Sequence, residues 1–122
     1  MEVILDSSFI ISCVRKRIDF LEALREIGFR AVVPREVLQE MKDLKKRSGT
    51  SHLEREAIDI AFEMLGKVKK IKVGGRTVDE GLIAKGREGI HIATLDRAVK
   101  REVPNRIVIL DSKSGIGVER GE

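Results

Sequence analysis

The alternation of short apolar runs with amphipathic segments constrains this chain more than any other feature. Strand-like runs cover Glu2–Leu5, Arg30–Val33, Val68–Val73, Ile90–Thr94 and Arg106–Leu110. Helical spacing of apolar residues covers about Ser8–Arg17, Phe20–Ile27, the segment from Pro34 to Lys46, His52–Leu65, Thr77 to Gly86 or Gly89, and Arg97–Glu102. This alternation predicts an α/β protein: three-layer α/β/α with a mainly parallel sheet of about five strands.

Local signals sharpen several of these elements. Asp19 and Thr77 are suitable N-caps, and Gly28 stands where a helix would end. Val and Ile alternate with Lys over Val68–Val73, which is typical of an edge strand protected by charge. On the fourth helix we expect an inward face of Leu53, Ala57, Ile60, Ala61 and Met64. After residue 110 the sequence predicts only a glycine-containing tail.

Composition bounds the class of protein. At 122 residues the chain predicts one domain over residues 1–122, and its core must come from Ile, Val, Leu and Ala because there are four Phe and no Trp or Tyr. The 36 % of charged residues, with a single Gln and a single Asn, is typical of thermophile proteins. A lone Cys13 excludes an internal disulfide. With no signal-peptide pattern and no membrane-length apolar run, these features predict a soluble cytoplasmic protein.

Positive charge is concentrated in three runs of the chain. They lie at Lys42–Arg47, Lys67–Arg76 and Arg97–Arg101, and the net charge is +4. Each run alone is typical of a solvated face, but three in a chain of this size favour a nucleic-acid partner. Because aromatic stacking residues are scarce, we expect contacts mainly to phosphates.

Four acidic residues occupy positions where ligands commonly meet an α/β sheet. Asp6 and Asp96 each follow a predicted strand, and the carboxyl ends of parallel strands share one edge. Glu40 lies on the apolar side of its helix, and Asp79 lies in the first turn of another. Asp6 alone is equally well explained as a helix cap.

Two of these assignments have a neighbouring alternative. Asp43 competes with Glu40, although its spacing places it outward together with Gln39. Glu80 competes with Asp79, and spacing favours Asp79.

Clustered carboxylates favour a particular metal chemistry. Carboxylates that lie close together repel one another unless a cation neutralises them. Oxygen ligands select Mg²⁺ or Mn²⁺ rather than Zn²⁺. His52 and His91 are isolated in sequence, and His91 within a strand is best explained by packing. Such a site is suited to phosphodiester hydrolysis, with one or two metals that activate water and stabilise the attacking and leaving oxygens.

Four segments together resemble the motifs of PIN-domain ribonucleases. In chain order they are Leu5-Asp6-Ser7-Ser8-Phe9-Ile10, Pro34-Arg35-Glu36-Val37-Leu38-Gln39-Glu40, Val78-Asp79-Glu80, and Ala93-Thr94-Leu95-Asp96-Arg97 followed by Lys100-Arg101. The resemblance covers nearly the whole chain and matches a minimal member. None of these motifs is specific by itself, but the order and spacing of all four in a chain of this length are specific.

The resemblance implies a role for each matching residue. Asp6, Glu40, Asp79 and Asp96 would hold Mg²⁺ or Mn²⁺, and an activated water would cleave RNA to leave 5′-phosphate and 3′-hydroxyl ends. Ser7 and Thr94 match hydroxyls that position the acids or the water. Substrate contacts are expected from Arg97, Lys100, Arg101 and Lys42. Leu95 departs from the family, where a polar residue is common, but the acidic quartet is intact.

The resemblance also implies partners, without choosing among biological roles. Short members of the family act as toxins of toxin–antitoxin pairs or process ribosomal RNA, and many form homodimers. An antitoxin protein and a homodimer are therefore expectations beside the RNA substrate.

Three other readings compete with a nuclease. A catalytically inactive PIN-like module would bind RNA or protein and use its acids only as caps. A phosphoacceptor receiver domain could use Lys113, but Asp6 has no adjacent acidic partner and no Asp ends the middle strand. A dinucleotide-binding fold is disfavoured because no G-x-G-x-x-G follows the first strand.

Overall fold

A computed structural model describes residues 1–110 and 115–121 of the chain. Its strands are β1 Glu2–Leu5, β2 Arg30–Pro34, β3 Lys69–Ile71, β4 His91–Ala93, β5 Asn105–Leu110 and β6 Gly115–Arg120. Its helices are α1 Ser7–Arg15, α2 Phe20–Glu26, α3 Arg35–Lys46, α4 His52–Met64, α5 Val78–Arg87 and α6 Arg97–Lys100. A 3₁₀ turn, Leu65–Lys67, follows α4.

The sheet has the order β3-β2-β1-β4-β5-β6 and is parallel except for β6. The chain moves outward from β1 to β2 and β3, and then returns to place β4 on the other side of β1. The order therefore reverses between β1 and β4, which is the position where open α/β sheets bind ligands.

Alternation along the strands divides the core between the two faces of the sheet. Val3 and Leu5 pack into one cluster with the buried residues of α1 to α4, whereas Ile4 packs into a second cluster with Leu82 of α5 and Val99 of α6. Helices therefore cover both faces, and the predicted three-layer, mainly parallel α/β architecture is confirmed.

The sheet has six strands, where the sequence predicts about five. The segment expected to be a glycine-containing tail forms β6, which pairs antiparallel with β5 over the register Asn105↔Arg120 to Leu110↔Gly115. Glycines break the strand pattern in the sequence, but a Cβ at Gly117 would lie 3.2 Å from the end of the Leu110 side chain, so the glycine leaves room for that side chain. Lys113 lies outside the described residues.

The predicted inward face of α4 is also partly wrong. Leu53 and Ile60 are 63 % and 48 % exposed, whereas Ile58, which the prediction omits, is fully buried beside Ala57 and Ala61. The helix packs mainly against α1 and α3. Ala57, Ile58 and Ala61 are buried on that side, whereas Leu53 and Ile60 face solvent.

Several local predictions are confirmed. The Asp19 carboxylate accepts a hydrogen bond from the backbone N–H of Glu22, and Gly28 has a φ of +90° that favours glycine. Strand β3 is an edge strand. Cys13 is buried on the inner face of α1, where burial raises the pKa of its thiol to about 12. Within the described ranges, no helix is long and apolar enough to cross a bilayer.

Candidate active site

The register between β1 and β4 places two predicted site residues side by side. Leu5 is opposite Ala93, and the backbone N–H of Asp6 donates to the carbonyl of Ala93 at 2.9 Å. Asp6 and Thr94 are therefore the first residues beyond the ends of the two strands at which the sheet order reverses.

Asp6 is buried and held in one orientation. It is 5 % exposed, and its Oδ1 accepts a hydrogen bond from the backbone N–H of Ser7 at 2.8 Å. Asp6 therefore caps α1, as the helix-cap interpretation predicts. Its Oδ2 accepts the hydroxyl of Thr94 at 2.7 Å and that of Ser8 at 3.4 Å. Burial is the main reason that the pKa of Asp6 is raised; these hydrogen bonds oppose the rise, and the Asp96 carboxylate adds to it.

Thr94 and Ser8 connect the two strand ends. Thr94 is fully buried, and its Oγ1 also accepts the backbone N–H of Asp96 at 3.1 Å. The Oγ of Ser8 accepts the N–H of Leu95 at 3.0 Å. Asp96 caps α6 by accepting the N–H of Ala98 at 2.9 Å. The two hydroxyls therefore fix the Leu95–Asp96 backbone relative to Asp6, and sequence reasoning missed Ser8 because any serine at a helix start resembles a cap.

Glu40 extends from α3 to Ser7, the residue after Asp6, but it is not buried. The side chain is exposed, although its spacing predicts an inward position, and the Ser7 hydroxyl donates to its Oε1 at 3.2 Å. Partial burial, followed by the nearby charges of Asp6 and Asp79, raises the pKa of Glu40. The alternative residue, Asp43, instead accepts a hydrogen bond from Gln39 on the exposed side of the helix.

Asp79, rather than Glu80, is directed toward the other acids. The Glu80 carboxylate turns back to accept the backbone N–H of Arg76 at 3.0 Å, while Thr77 caps α5 by accepting the N–H of Glu80. The pKa of Asp79 is raised first by burial, then by the charges of Asp96 and Asp6, and by a hydrogen-bonding contact with Asp96. Asp6, Glu40, Asp79 and Asp96, which we call the acidic cluster, therefore interact although they come from four separate segments.

A second acid of α3 holds the loop that leads to Asp79. Glu36 accepts the backbone N–H of Gly74 at 3.0 Å and that of Val73 at 3.2 Å. Partial burial alone would raise the pKa of Glu36, but hydrogen bonds from its own backbone N–H and from those of Gly74 and Val73, together with the nearby Lys72 charge, outweigh it and the pKa is lowered. A side chain at Gly81 would lie 2.5 Å from the carbonyl of Gly74, so the loop packs closely on α5. Glu36 shares a helix face with Glu40, and sequence reasoning passed over it because it looks like a first-turn acid.

The predicted basic residues divide between two places. Arg97, Lys100 and Arg101 follow Asp96 on and after α6 and line one concavity. Lys42 instead lies between α3 and α4 with Lys45, Lys46, Asp59 and Phe62. Lys42 therefore lines a different concavity from the other three predicted basic residues.

The donor chemistry of the acidic cluster fits a hard divalent cation. All its donors are carboxylate oxygens, and their mutual repulsion adds to burial in raising the pKa of Asp6, Glu40 and Asp79. Among the described residues, no three His, Cys, Asp or Glu side chains stand close enough to form a ready-made metal cage. His91 packs edge-on against Phe29 at 4.7 Å, as its place in a strand suggests.

Comparison with known families agrees with this arrangement. The family model described as a PIN-like domain matches residues 3–111. The chain belongs to the PIN-like domain family. The match spans all four segments that supply the acidic cluster.

A solved structure supports the same fold for this PIN-like domain. The PIN domain endonuclease Utp24 superposes with a TM-score of 0.75 at 20 % identity, over 98 % of this chain and 92 % of that one. At this identity the likeness establishes the fold. No curated protein sequence matches the chain significantly.

Proposed function

We propose that this PIN-like domain is a Mg²⁺- or Mn²⁺-dependent endoribonuclease whose site is the acidic cluster. The observation that carries the proposal is the position of Asp6 and Thr94 at the ends of β1 and β4, where the sheet order reverses, and the raised pKa values of Asp6, Glu40 and Asp79 support it. An arrangement that raises the pKa of Asp6, Glu40 and Asp79 costs stability in the metal-free protein at neutral pH, and a divalent cation offsets that cost.

The residues of the chain then have distinct roles. Asp6, Glu40, Asp79 and Asp96 would hold the cation. Bound there, a divalent cation supplies a water of lowered pKa and neutralises charge on the phosphodiester.

The hydroxyl groups fix the acids before substrate arrives. Thr94 holds Asp6 from one side, and Ser7 joins α1 to Glu40, so the carboxylates do not have to reorganise during the reaction. Arg97 follows Asp96 directly and would neutralise a phosphate next to the one that is cleaved. The expected products carry 5′-phosphate and 3′-hydroxyl ends.

Cleavage of an end-labelled RNA tests the proposal. We expect cleavage with Mn²⁺ or Mg²⁺, none with EDTA, and none by Asp6→Asn. Asp43→Asn is the matched control, because it makes the same change on an exposed carboxylate of α3 outside the acidic cluster. Full activity of Asp6→Asn, or activity in EDTA, would refute the proposal.

A second candidate is a binding module that has lost catalysis. Two observations favour it: no three acids of the described residues are close enough to form a metal cage, and Leu95 replaces the usual polar residue. It predicts metal-independent RNA binding and no cleavage under any metal. The toxin-type and RNA-processing roles, the antitoxin and the homodimer stay predictions; light scattering at micromolar concentration tests the homodimer, which a monomeric mass would exclude.

A further inference from the structure

A basic surface extends from the acidic cluster to the far edge of the sheet. Four cations, Arg97, Lys100, Arg101 and Arg106, line an open concavity of about 510 Å³ beside α6. Arg101 and Arg106 also line an adjoining concavity of about 460 Å³, which Arg120 of β6 completes. These five residues are called the α6–β6 surface below.

Arg106 is the fixed centre of this surface. Its side chain is 16 % exposed, its Nε donates to Glu119 at 2.9 Å, and its Nη1 donates to the carbonyl of Lys100 at 2.8 Å. The guanidinium thereby ties the end of α6 to the β5–β6 pair. The other acid of the region, Glu102, pairs with Arg87 at 3.0 Å.

The remaining cations of the surface carry unbalanced charge. Within residues 1–110 and 115–121, no salt bridge joins Arg97, Lys100, Arg101 or Arg120 to an acid. Arg101 and Arg120 are also exposed.

The opposite edge of the sheet differs, although it is rich in cations too. There Arg25 pairs with Glu22, and Arg30 and Lys69 both pair with Glu2. These three cations of the opposite edge have an acidic partner, whereas among the described residues the exposed Arg97, Arg101 and Arg120 of the α6–β6 surface have no salt-bridge partner and remain available to a polyanion.

We propose that a single RNA strand bound at the acidic cluster continues along α6 and over the edge of β6, with its phosphates on the α6–β6 surface. The inference rests on the proposed function for the location of the cleaved bond. Arg97 stands next to Asp96 in the chain, so the surface begins at the cluster itself. None of the described residues lining the two concavities is aromatic, and backbone contacts of this kind position RNA without reading its sequence. The substrate is then RNA that extends well beyond the cleaved bond.

Fluorescence anisotropy of the full chain with labelled oligouridylate, in EDTA, measures this binding separately from cleavage. The probe has about 20 nucleotides, which exceeds the roughly 4–16 that one small binding fold covers. The test variant is Arg101→Gln/Arg120→Gln, and both residues are exposed. The control is Arg30→Gln/Lys69→Gln, which removes the same charge at the opposite edge.

The expected result is a change in both affinity and salt dependence. Losing two phosphate contacts should reduce the slope of log K against log salt by about 1.4, which corresponds to roughly 25-fold weaker binding at 0.1 M salt. The control should bind as the wild type does. Equal losses in the two variants, or no loss in the test variant, would overturn the proposal.

Cleavage kinetics separate this proposal from the nuclease proposal. With an active enzyme, the test variant should raise KM for the long RNA by a larger factor than KM for a trinucleotide, because only the long RNA extends along the surface to Arg120. An equal defect on both substrates would overturn the extended path. Absence of all cleavage together with surface-dependent binding would refute the nuclease and support the surface.

Discussion

Replacing Thr94 with valine tests how firmly the site is built around Asp6. Valine has nearly the same shape, so Thr94→Val removes the hydroxyl from a fully buried position without leaving a cavity. Three hydrogen bonds are lost: the 2.7 Å bond donated to Asp6, the 3.1 Å bond accepted from the N–H of Asp96, and a longer 3.4 Å bond shared with the Ser8 hydroxyl.

The structure sets the size of the expected effect. A hydrogen bond to a charged group contributes about 1.5–3 kcal/mol, whereas the Asp96 N–H is partly exposed and can bind water instead. We therefore expect the free energy of unfolding to fall by about 2 kcal/mol at neutral pH. For a chain of this length that lowers Tm by roughly 8 °C.

The effect should depend on pH in a defined direction. The pKa of Asp6 in the folded protein lies above its ordinary value of 3.8, so the folded state loses stability relative to the unfolded state as pH rises through that range. The Thr94 hydroxyl lowers this pKa, so Thr94→Val raises it further and enlarges the loss. The difference between wild type and variant should therefore be small near pH 4 and grow toward pH 7.

Thermal unfolding followed by far-ultraviolet circular dichroism measures this, because the chain has no Trp or Tyr for fluorescence. Thr94→Ser is the control: it keeps the hydroxyl and should cost about 1 kcal/mol for the lost buried methyl group, with no pH dependence. A Thr94→Val penalty that is independent of pH, or that matches Thr94→Ser throughout, would refute the reasoning.

The remaining predictions concern three other positions. Asp79→Asn should raise Tm of the metal-free protein at pH 7 but not near pH 4. The pKa of Asp79 is raised in the folded state, so its negative charge is unfavourable only at a pH where the carboxyl is ionised. A lower Tm at pH 7 would contradict this. Glu36→Gln should lower Mn²⁺ affinity roughly 10-fold by releasing the loop before α5, while Glu80→Gln at the other end of that loop leaves affinity unchanged in the same calorimetric titration. Gly86→Ala should lower stability by about 1–3 kcal/mol, because the new Cβ would lie 2.8 Å from Val103 Cβ, and a stabilised variant in denaturant titration would show that the helix moves freely.

Sequence predicts those site residues whose positions are fixed by the ends of strands. Asp6 and Asp96 follow apolar runs and Thr94 ends one, and parallel pairing of β1 with β4 leaves little freedom in where these residues emerge. Choosing Asp79 over Glu80 also follows from a local rule, since a Glu at that position folds back on the helix start.

The features that sequence missed depend on tertiary partners. The importance of Ser8 comes from Leu95, far along the chain, and that of Glu36 from the loop at Val73 and Gly74. Strand β6 is hidden because its glycines lower strand propensity and its stability comes from pairing with β5. The exposed Leu53 and Ile60 share helical spacing with buried residues, and only the packing of α4 on α1 and α3 separates them.

Calorimetric titration with Mn²⁺ tests most directly the claim that four carboxylates form one metal site. The wild type should bind Mn²⁺. Binding should be weakened at least ~10-fold by each of Asp6→Asn, Glu40→Gln, Asp79→Asn and Asp96→Asn, because mutating even a residue that only hydrogen-bonds to a metal ligand has an effect of that size. Asp43→Asn and Glu80→Gln, which alter neighbouring acids outside the cluster, should bind as the wild type does. No binding by the wild type at millimolar Mn²⁺, or equal losses in the control variants, would contradict the account.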